Sequence, residues 1–333
     1  MRNESWIQKL PKIDLHCHLD GSMGIEAVRE QLARSEFLLP DDRLKDALQV
    51  SENCTSLTEY LKKFELPLKC LQTEKGLKAA TLNLLKQAAA ENIKYIEIRF
   101  APLLSVNQTL DCRQVIESVV SGLQEGEKRY AVHGGIIVCA MRHHTAEKNI
   151  EMLKTARVLL GHGVCALDLA GDESAYPTQM QRELFYKAKQ WDMPFTIHSG
   201  ECGSVENVKE AIELGARRLG HGIALRKSEA LIKLCRQKQI GIEMCPSSNL
   251  QTKAIDSWHD YPLELFLEKG LLATINTDNR TVSNTSITEE LMLVYENMHY
   301  NKEVIINLLK NAAEVSFAKD HVKNELLSAL HKA

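Results

Sequence analysis

The stretch Ile13-Asp14-Leu15-His16-Cys17-His18, with the turn Leu19-Asp20-Gly21-Ser22 after it, decides how the rest of the chain is read. It reads as a strand. Side chains alternate between the two faces of a strand, so His16 and His18 point the same way while Leu15 and Cys17 face a packed layer. Two imidazoles one pleat apart can grip one metal ion. In a chain with 12 histidines such a pair is weak on its own, and each His has the plainer reading of a hydrogen-bonded, partly buried imidazole. What recurs downstream decides between them.

A helical stretch over roughly 22–92 follows, with Leu77, Thr81, Leu84, Leu85 and Ala88 at helical spacing. Short apolar strands then alternate with helices. The strands are Ile93–Phe100, Gly135–Ala140, Val164–Leu169, Pro194–His198, Arg218–Gly220, Ile240–Cys245 and Leu272–Thr277. From about 287 the pattern is helical to the end. Strand–helix alternation implies a parallel sheet, and eight strands suggest a closed (β/α)₈ barrel, an α/β TIM barrel. The competing doubly wound sheet lacks a Gly-x-Gly-x-x-Gly after the first strand. The expectation is a single domain over residues 1–333, with 22–92 as a helical insertion over the barrel mouth.

Polar residues collect at the carboxyl ends of these strands: His16, His18 and Asp20; Met141-Arg142-His143; Ala170-Gly171-Asp172-Glu173; His198-Ser199-Gly200-Glu201; Gly220-His221-Gly222; Cys245-Pro246-Ser247-Ser248-Asn249; and Thr277-Asp278-Asn279. In a barrel of this class the active site lies at that face. His16, His18, His198 and Asp278 can meet there. Imidazole nitrogen and carboxylate oxygen suit zinc, and a catalytic zinc lowers the pKa of a bound water to about 7. Glu201, past a glycine from His198, can sit beside the metal without binding it and act as a general acid when partly desolvated. Its plainer reading is a carboxylate at a helix N-terminus. His221, between two glycines, is placed to orient the attacking water. Gly171 lets backbone approach a flat ligand closely, or is simply a turn glycine. Strand four carries no lysine of the kind that bridges two metals, and the His-x-Glu with Pro-Cys-x-x-Cys of the cytidine-type zinc deaminases is absent.

Composition narrows the class. The 333 residues are 44% apolar and carry a net charge of −3 from 41 basic and 44 acidic side chains. No dense basic stripe suggests nucleic acid, and no apolar run approaches the roughly 20 residues of a membrane span. The start, Met1-Arg2-Asn3-Glu4-Ser5-Trp6, has no apolar signal core. Nine scattered cysteines without a Cys-x-x-Cys pair suit reduced, buried thiols. A cytoplasmic protein is expected; its oligomeric state is not legible.

At these motifs the chain resembles the adenosine deaminase family of the amidohydrolase superfamily. The resemblance is carried by Lys12–Ser22, Glu97-Ile98-Arg99-Phe100-Ala101-Pro102, Met141-Arg142-His143, Ala170–Glu173, His198–Glu201, Arg218–Gly222 and Asn276-Thr277-Asp278. It implies a zinc-containing (β/α)₈ barrel, one Zn²⁺ per chain, and hydrolytic loss of ammonia from purine C6 of adenosine and 2′-deoxyadenosine. By resemblance His16, His18, His198 and Asp278 hold the zinc, Glu201 protonates purine N1, and His221 positions the water. The Gly171 N–H meets purine N3, and Asp20 meets the ribose 5′-hydroxyl.

The chain departs from the family's common pattern at Asn279, where a second Asp is usual. An Asn amide donates to purine N7 with no proton cost, so purine binding survives while base preference or pH dependence shifts. Ser199 replaces a commoner Ala, and 280–284 lacks the frequent proline. Related readings are deamination of adenine or an N6-modified adenine nucleotide, and, from another class, a non-catalytic zinc- or purine-binding protein.

Overall fold

The computed structural model describes residues 5–34, 39–51, 54 and 57–333. Among them are eight strands: β1 Lys12–His18, β2 Ile93–Phe100, β3 His133–Met141, β4 Val164–Ala170, β5 Thr196–Ser199, β6 Arg218–His221, β7 Gly241–Met244 and β8 Leu272–Ile275. They pair in parallel in two runs, β1-β2-β3-β4 and β5-β6-β7-β8. Two seams join the runs. At one, Leu167 bridges Phe195 and its N–H bonds Pro194 O at 2.9 Å. At the other, Cys17 bridges Asp278, with His18 N–H to Asp278 O and Asp278 N–H to His16 O both at 2.7 Å. The expected (β/α)₈ barrel is therefore present, closed at the histidine-bearing strand.

The strands are buried on both faces, as a helix-wrapped parallel sheet requires. Ile136, Ile137 and Val138 of β3, and Ile242 and Met244 of β7, have no exposed surface. Strands β5, β7 and β8 are shorter than the sequence pattern predicts, because Pro194, Cys245, Asn276 and Thr277 lie in the connecting turns, while β6 runs one residue further, to His221. In β1 the register against β2 shifts between Asp14 and Cys17. Beyond this bulge Asp14 departs from strict alternation: it accepts a 2.6 Å hydrogen bond from Thr277 Oγ1 and lies beside Cys17 rather than in line with His16 and His18.

The region 22–92 is divided. Helices Ile25–Arg34, Asp41–Leu48, Leu57–Leu61 and Glu65–Cys70 follow β1, and Glu74–Ala90 leads into β2. Parts of the expected insertion, 35–38, 52–53 and 55–56, lie outside the described residues. Glu74–Ala90 belongs to the outer ring and packs against Cys112–Arg129. A methyl at Gly122 would fall 2.7 Å from both Lys78 O and the Thr81 side chain, so glycine is what permits that approach. At the carboxyl end, Ile287–Asn297, Lys302–Val315 and Asp320–His331 are helical as expected. No helix among the described residues is long and apolar enough to cross a membrane.

Candidate metal and active site

The residues singled out in the sequence arrive from four strands and the turns beyond them. His16 and His18 come from β1, His198 from β5, and His221 ends β6. Asp278 sits just past β8. His221 and Asp278 both hold left-handed backbone, φ 60° and 56°, a conformation uncommon outside glycine and often found where a site fixes a side chain. Gly220 makes room for the cluster, since a methyl there would stand 3.2 Å from His16 Cε1.

One potential ligand atom each from His16, His198, His221 and Asp278 lies within 4.8 Å of the others. His18 joins them: its Nε2 is 3.1 Å from His198 Nε2 and 3.4 Å from Asp278 Oδ1. His16 Nε2 is also 3.4 Å from Asp278 Oδ1, is fully buried and has no hydrogen-bond partner. A buried imidazole nitrogen left without a partner, aimed at a carboxylate and other imidazoles, fits a metal ion. The expected quartet is thus gathered, and His221 reaches the same cluster.

Behind the imidazoles lies a charged layer inside the barrel. His16 Nδ1 is 2.8 Å from Glu243 Oε2, and His198 Nδ1 is 2.8 Å from Asp168 Oδ2. Carboxylates that face a ligating histidine in this way fix its tautomer and orientation. Arg99 joins the two acids, donating to Asp168 at 2.9 Å and to Glu243 at 2.8 Å. Glu243 also accepts from Thr196 Oγ1 at 2.8 Å and Arg218 Nε at 2.5 Å, and Arg218 pairs in turn with Glu97. All these charged groups are completely buried, a state tolerated only when they are paired. Burial pushes the Glu243 carboxyl up, but Arg99 and Arg218 outweigh it and hold it well below the usual range. Asp278 is pushed up by burial and held down more strongly by the adjacent His16 imidazole and by the other surrounding imidazoles. Burial, reinforced by His198 and His16 against the pull of Asp278, holds His18 neutral well below its ordinary value.

Above the cluster is a cavity of about 220 Å³. His18, His198, His221, Asp278, Glu201, Asp20, Gly171 and Asn279 line it, with His16 beneath. Its outer wall is apolar, formed by Leu61, Phe64, Leu68, Leu104 and Met141. Among the described lining residues there is no lysine or arginine. Glu201 Oε2 is 3.7 Å from His221 Nε2. Burial, then Asp278 and Glu173, push the Glu201 carboxyl up to about 8, so it carries a proton at neutral pH. Glu173 shapes its turn by accepting from the backbone N–H of Gly200 at 2.6 Å and of Cys202 at 3.2 Å. Burial raises Asp20 to about 6, which leaves it mostly ionised at pH 7. Asn279 packs so tightly on Gly21 that a methyl there would stand 1.9 Å from Asn279 Oδ1. Arg142 serves the framework instead, donating to His198 O at 2.7 Å and to Tyr176 O at 2.8 Å.

The sequence pattern assigned no role to Asp168, Glu243 or Tyr60, and named Asn249 only among the strand-end polar residues and Arg218 only as part of a motif. For Asp168 and Glu243 a signal existed: a charge in the middle of an apolar strand, as in Ala166-Leu167-Asp168-Leu169 and Gly241-Ile242-Glu243-Met244. Such a residue is buried by its neighbours and needs a partner. Arg218, at the start of its strand, and Tyr60 carried no comparable signal, and for Asn249 the only signal was its place at the end of a strand.

Comparison with known proteins agrees with this architecture. The family model described as adenosine deaminase matches residues 11–333. An adenosine deaminase of Clostridium botulinum (strain Okra / Type B1) is 43% identical over 326 residues, covering 96% of this chain and 97% of its own. Among solved structures, the Arabidopsis N6-mAMP deaminase superposes with a TM-score of 0.87 at 26% identity, covering 98% of this chain and 99% of its own. The adenine deaminase of Arthrobacter aurescens superposes with a TM-score of 0.88 at 23% identity, over 97% and 98% of the two chains, a likeness of fold. A whole-length family match and a close relative spanning nearly all of both chains place this chain in the adenosine deaminase family.

Proposed function

We propose that the chain is a metal-dependent deaminase of purine nucleosides that converts adenosine and 2′-deoxyadenosine to inosine and 2′-deoxyinosine with release of ammonia. One observation carries the reading: a mostly buried carboxyl, Glu201, 3.7 Å from His221, shares a cavity with the imidazole and carboxylate cluster. We assign one zinc ion per chain to His16, His18, His198 and Asp278. Bound there, the ion supplies the positive charge that makes a water acidic enough to attack at neutral pH.

The chain's own groups do the rest. Glu201 gives its proton to purine N1 and draws electron density from C6 as the water oxygen bonds to it. Asp278 takes the proton that the water releases. His221 donates a hydrogen bond to the same oxygen, so charge develops where preorganised groups already stand. The amine takes up the proton held by Asp278 and leaves as ammonia. Loss of the hydroxyl proton, which restores the proton that Glu201 gave to N1, then forms the carbonyl of the product. The Gly171 backbone N–H at N3 and the Asn279 amide at N7 hold the base in register.

The sugar end meets Asp20. A carboxylate that is mostly ionised at pH 7, in a wall without lysine or arginine, suits a neutral 5′-hydroxyl and repels a phosphate. The cavity therefore favours nucleosides over the nucleotide on which the Arabidopsis relative acts. The buried thiols Cys17, Cys139, Cys235 and Cys245 suit a reducing cytoplasm. Glu201→Gln tests the acid directly. The variant keeps its metal and loses about 10²–10⁴-fold in kcat on adenosine; near-normal turnover with full metal content removes the assignment.

A further inference from the structure

The imidazoles of the cluster differ in what stands behind them. His16 and His198 each face a carboxylate through Nδ1. An ionised carboxylate only accepts hydrogen bonds, so it fixes the proton on Nδ1 and turns the Nε2 lone pair toward the cluster. Behind His221 stands an amide, with Asn249 Nδ2 at 2.9 Å from His221 Nδ1. An amide nitrogen only donates. His221 Nδ1 must therefore offer its lone pair, and the proton of the neutral ring is on Nε2.

The orientation of that amide is fixed in turn. The buried Tyr261 hydroxyl donates to Asn249 Oδ1 at 3.4 Å. Rotating the amide would set its N–H groups against Tyr261 and leave the hydroxyl proton without this acceptor in a buried site. Asn249 is itself fully buried, on the helix Pro246–Gln251 that follows β7 directly.

We propose that Asn249, braced by Tyr261, is a positioning residue that holds His221 in the Nε2–H tautomer. His221 then enters the cavity as a hydrogen-bond donor and not as another metal ligand, although it lies within the same 4.8 Å cluster. A ring that already carries its proton on Nε2 stabilises an attacking oxygen and does not take that oxygen's proton, which leaves Asp278 as the acceptor. The inference rests on the metal reading given above for His16 and His198.

The test is long-range proton–nitrogen correlation NMR on zinc-loaded, ¹⁵N-histidine-labelled protein without substrate, with His221→Gln for assignment. The expected result for His221 is a protonated Nε2 and a bare Nδ1. Asn249→Asp, whose carboxylate only accepts, inverts the pattern, and Tyr261→Phe gives a mixture of the two tautomers. A His221 protonated on Nδ1, or shifted as a metal ligand, in the parent overturns the proposal. So does an unchanged tautomer in folded Asn249→Asp; if that variant does not fold, the parent spectrum still decides. Asn249→Asp also lowers kcat about tenfold or more with KM within about twofold, and a parental kcat contradicts the proposal. The tautomer is read with no substrate bound, so failure of the deaminase reading and failure of this inference appear in different experiments.

Discussion

Glu201 shows how far one residue's chemistry depends on its surroundings. Its ordinary carboxyl value is 4.5, and burial beside Asp278 and Glu173 raises it to about 8 in the metal-free fold. Between those values the folded state keeps a proton that the unfolded chain has lost. The group's stabilising contribution is therefore complete below pH 4.5 and gone once the pH has risen through 8. His18, His198 and His221, all shifted downward, give a slope of the opposite sign while the unfolded imidazoles titrate around pH 6.5, and that part is common to the parent and Glu201→Gln. Glu290, raised to about 7 by burial, adds a smaller slope of the same sign as Glu201. Between pH 6.5 and 8 the melting temperature of chelated Glu201→Gln therefore changes with pH by a more positive slope than that of the parent, by the contribution of this one carboxyl. Equal slopes in the two proteins would contradict the protonation state on which the acid role depends. The position of Glu201, three residues past a ligand-type histidine and beyond a glycine, was legible in the sequence. Its protonation was not, because Glu173 and Asp278 reach it only through the fold.

At the scale of elements, the inner faces of the strands carry the support for the site. Arg218 on β6 binds Glu243 and Glu97, donates to Val315 O at 3.0 Å, and lies 4.0 Å from the Phe317 ring centre. It thus links the floor of the barrel to His16 through Glu243. Arg218→Met leaves two buried carboxylates short of a partner, and we expect a loss of about 3–5 kcal/mol in urea unfolding. With Glu243 disturbed, zinc affinity measured by chelator competition falls about tenfold or more. Unchanged stability and affinity would show that the layer is not coupled to the metal ligands. This layer was only half legible. The charges stand out against their apolar neighbours, but which acid meets which base depends on barrel closure, which brings β2, β4, β6 and β7 around one axis. The short helices after β1 form the other element at the site. Tyr60, Leu61, Phe64 and Leu68 line the cavity, and the Tyr60 hydroxyl lies 2.6 Å from Ser283 Oγ beyond β8. We propose that this segment gates the cavity. A purine nucleoside ligand should slow amide hydrogen exchange across 57–70, and unchanged protection there would exclude a gate.

For the molecule as a whole, the alternation of apolar strands with helices was enough to read a (β/α)₈ barrel, because the period of each segment is a local property. Two features were not local. The bulge in β1 sends Asp14 away from the line of His16 and His18, and Glu74–Ala90 joins the outer ring instead of the region over the mouth. Both depend on partners distant in sequence. The candidate site was more legible than either, since a barrel gathers the carboxyl ends of its strands at one face and the sequence had already placed His16, His18, His198, His221 and Asp278 at such ends. Choosing a substrate asks more: the cavity must accept a purine and reject a phosphate. The decisive measurement is loss of 6-aminopurine absorbance, with ammonia release, on adenosine, 2′-deoxyadenosine, adenine and AMP, using protein of verified zinc content. The account predicts fast turnover of the two nucleosides and little of adenine or AMP. Turnover confined to adenine or AMP, or none at all, would contradict it.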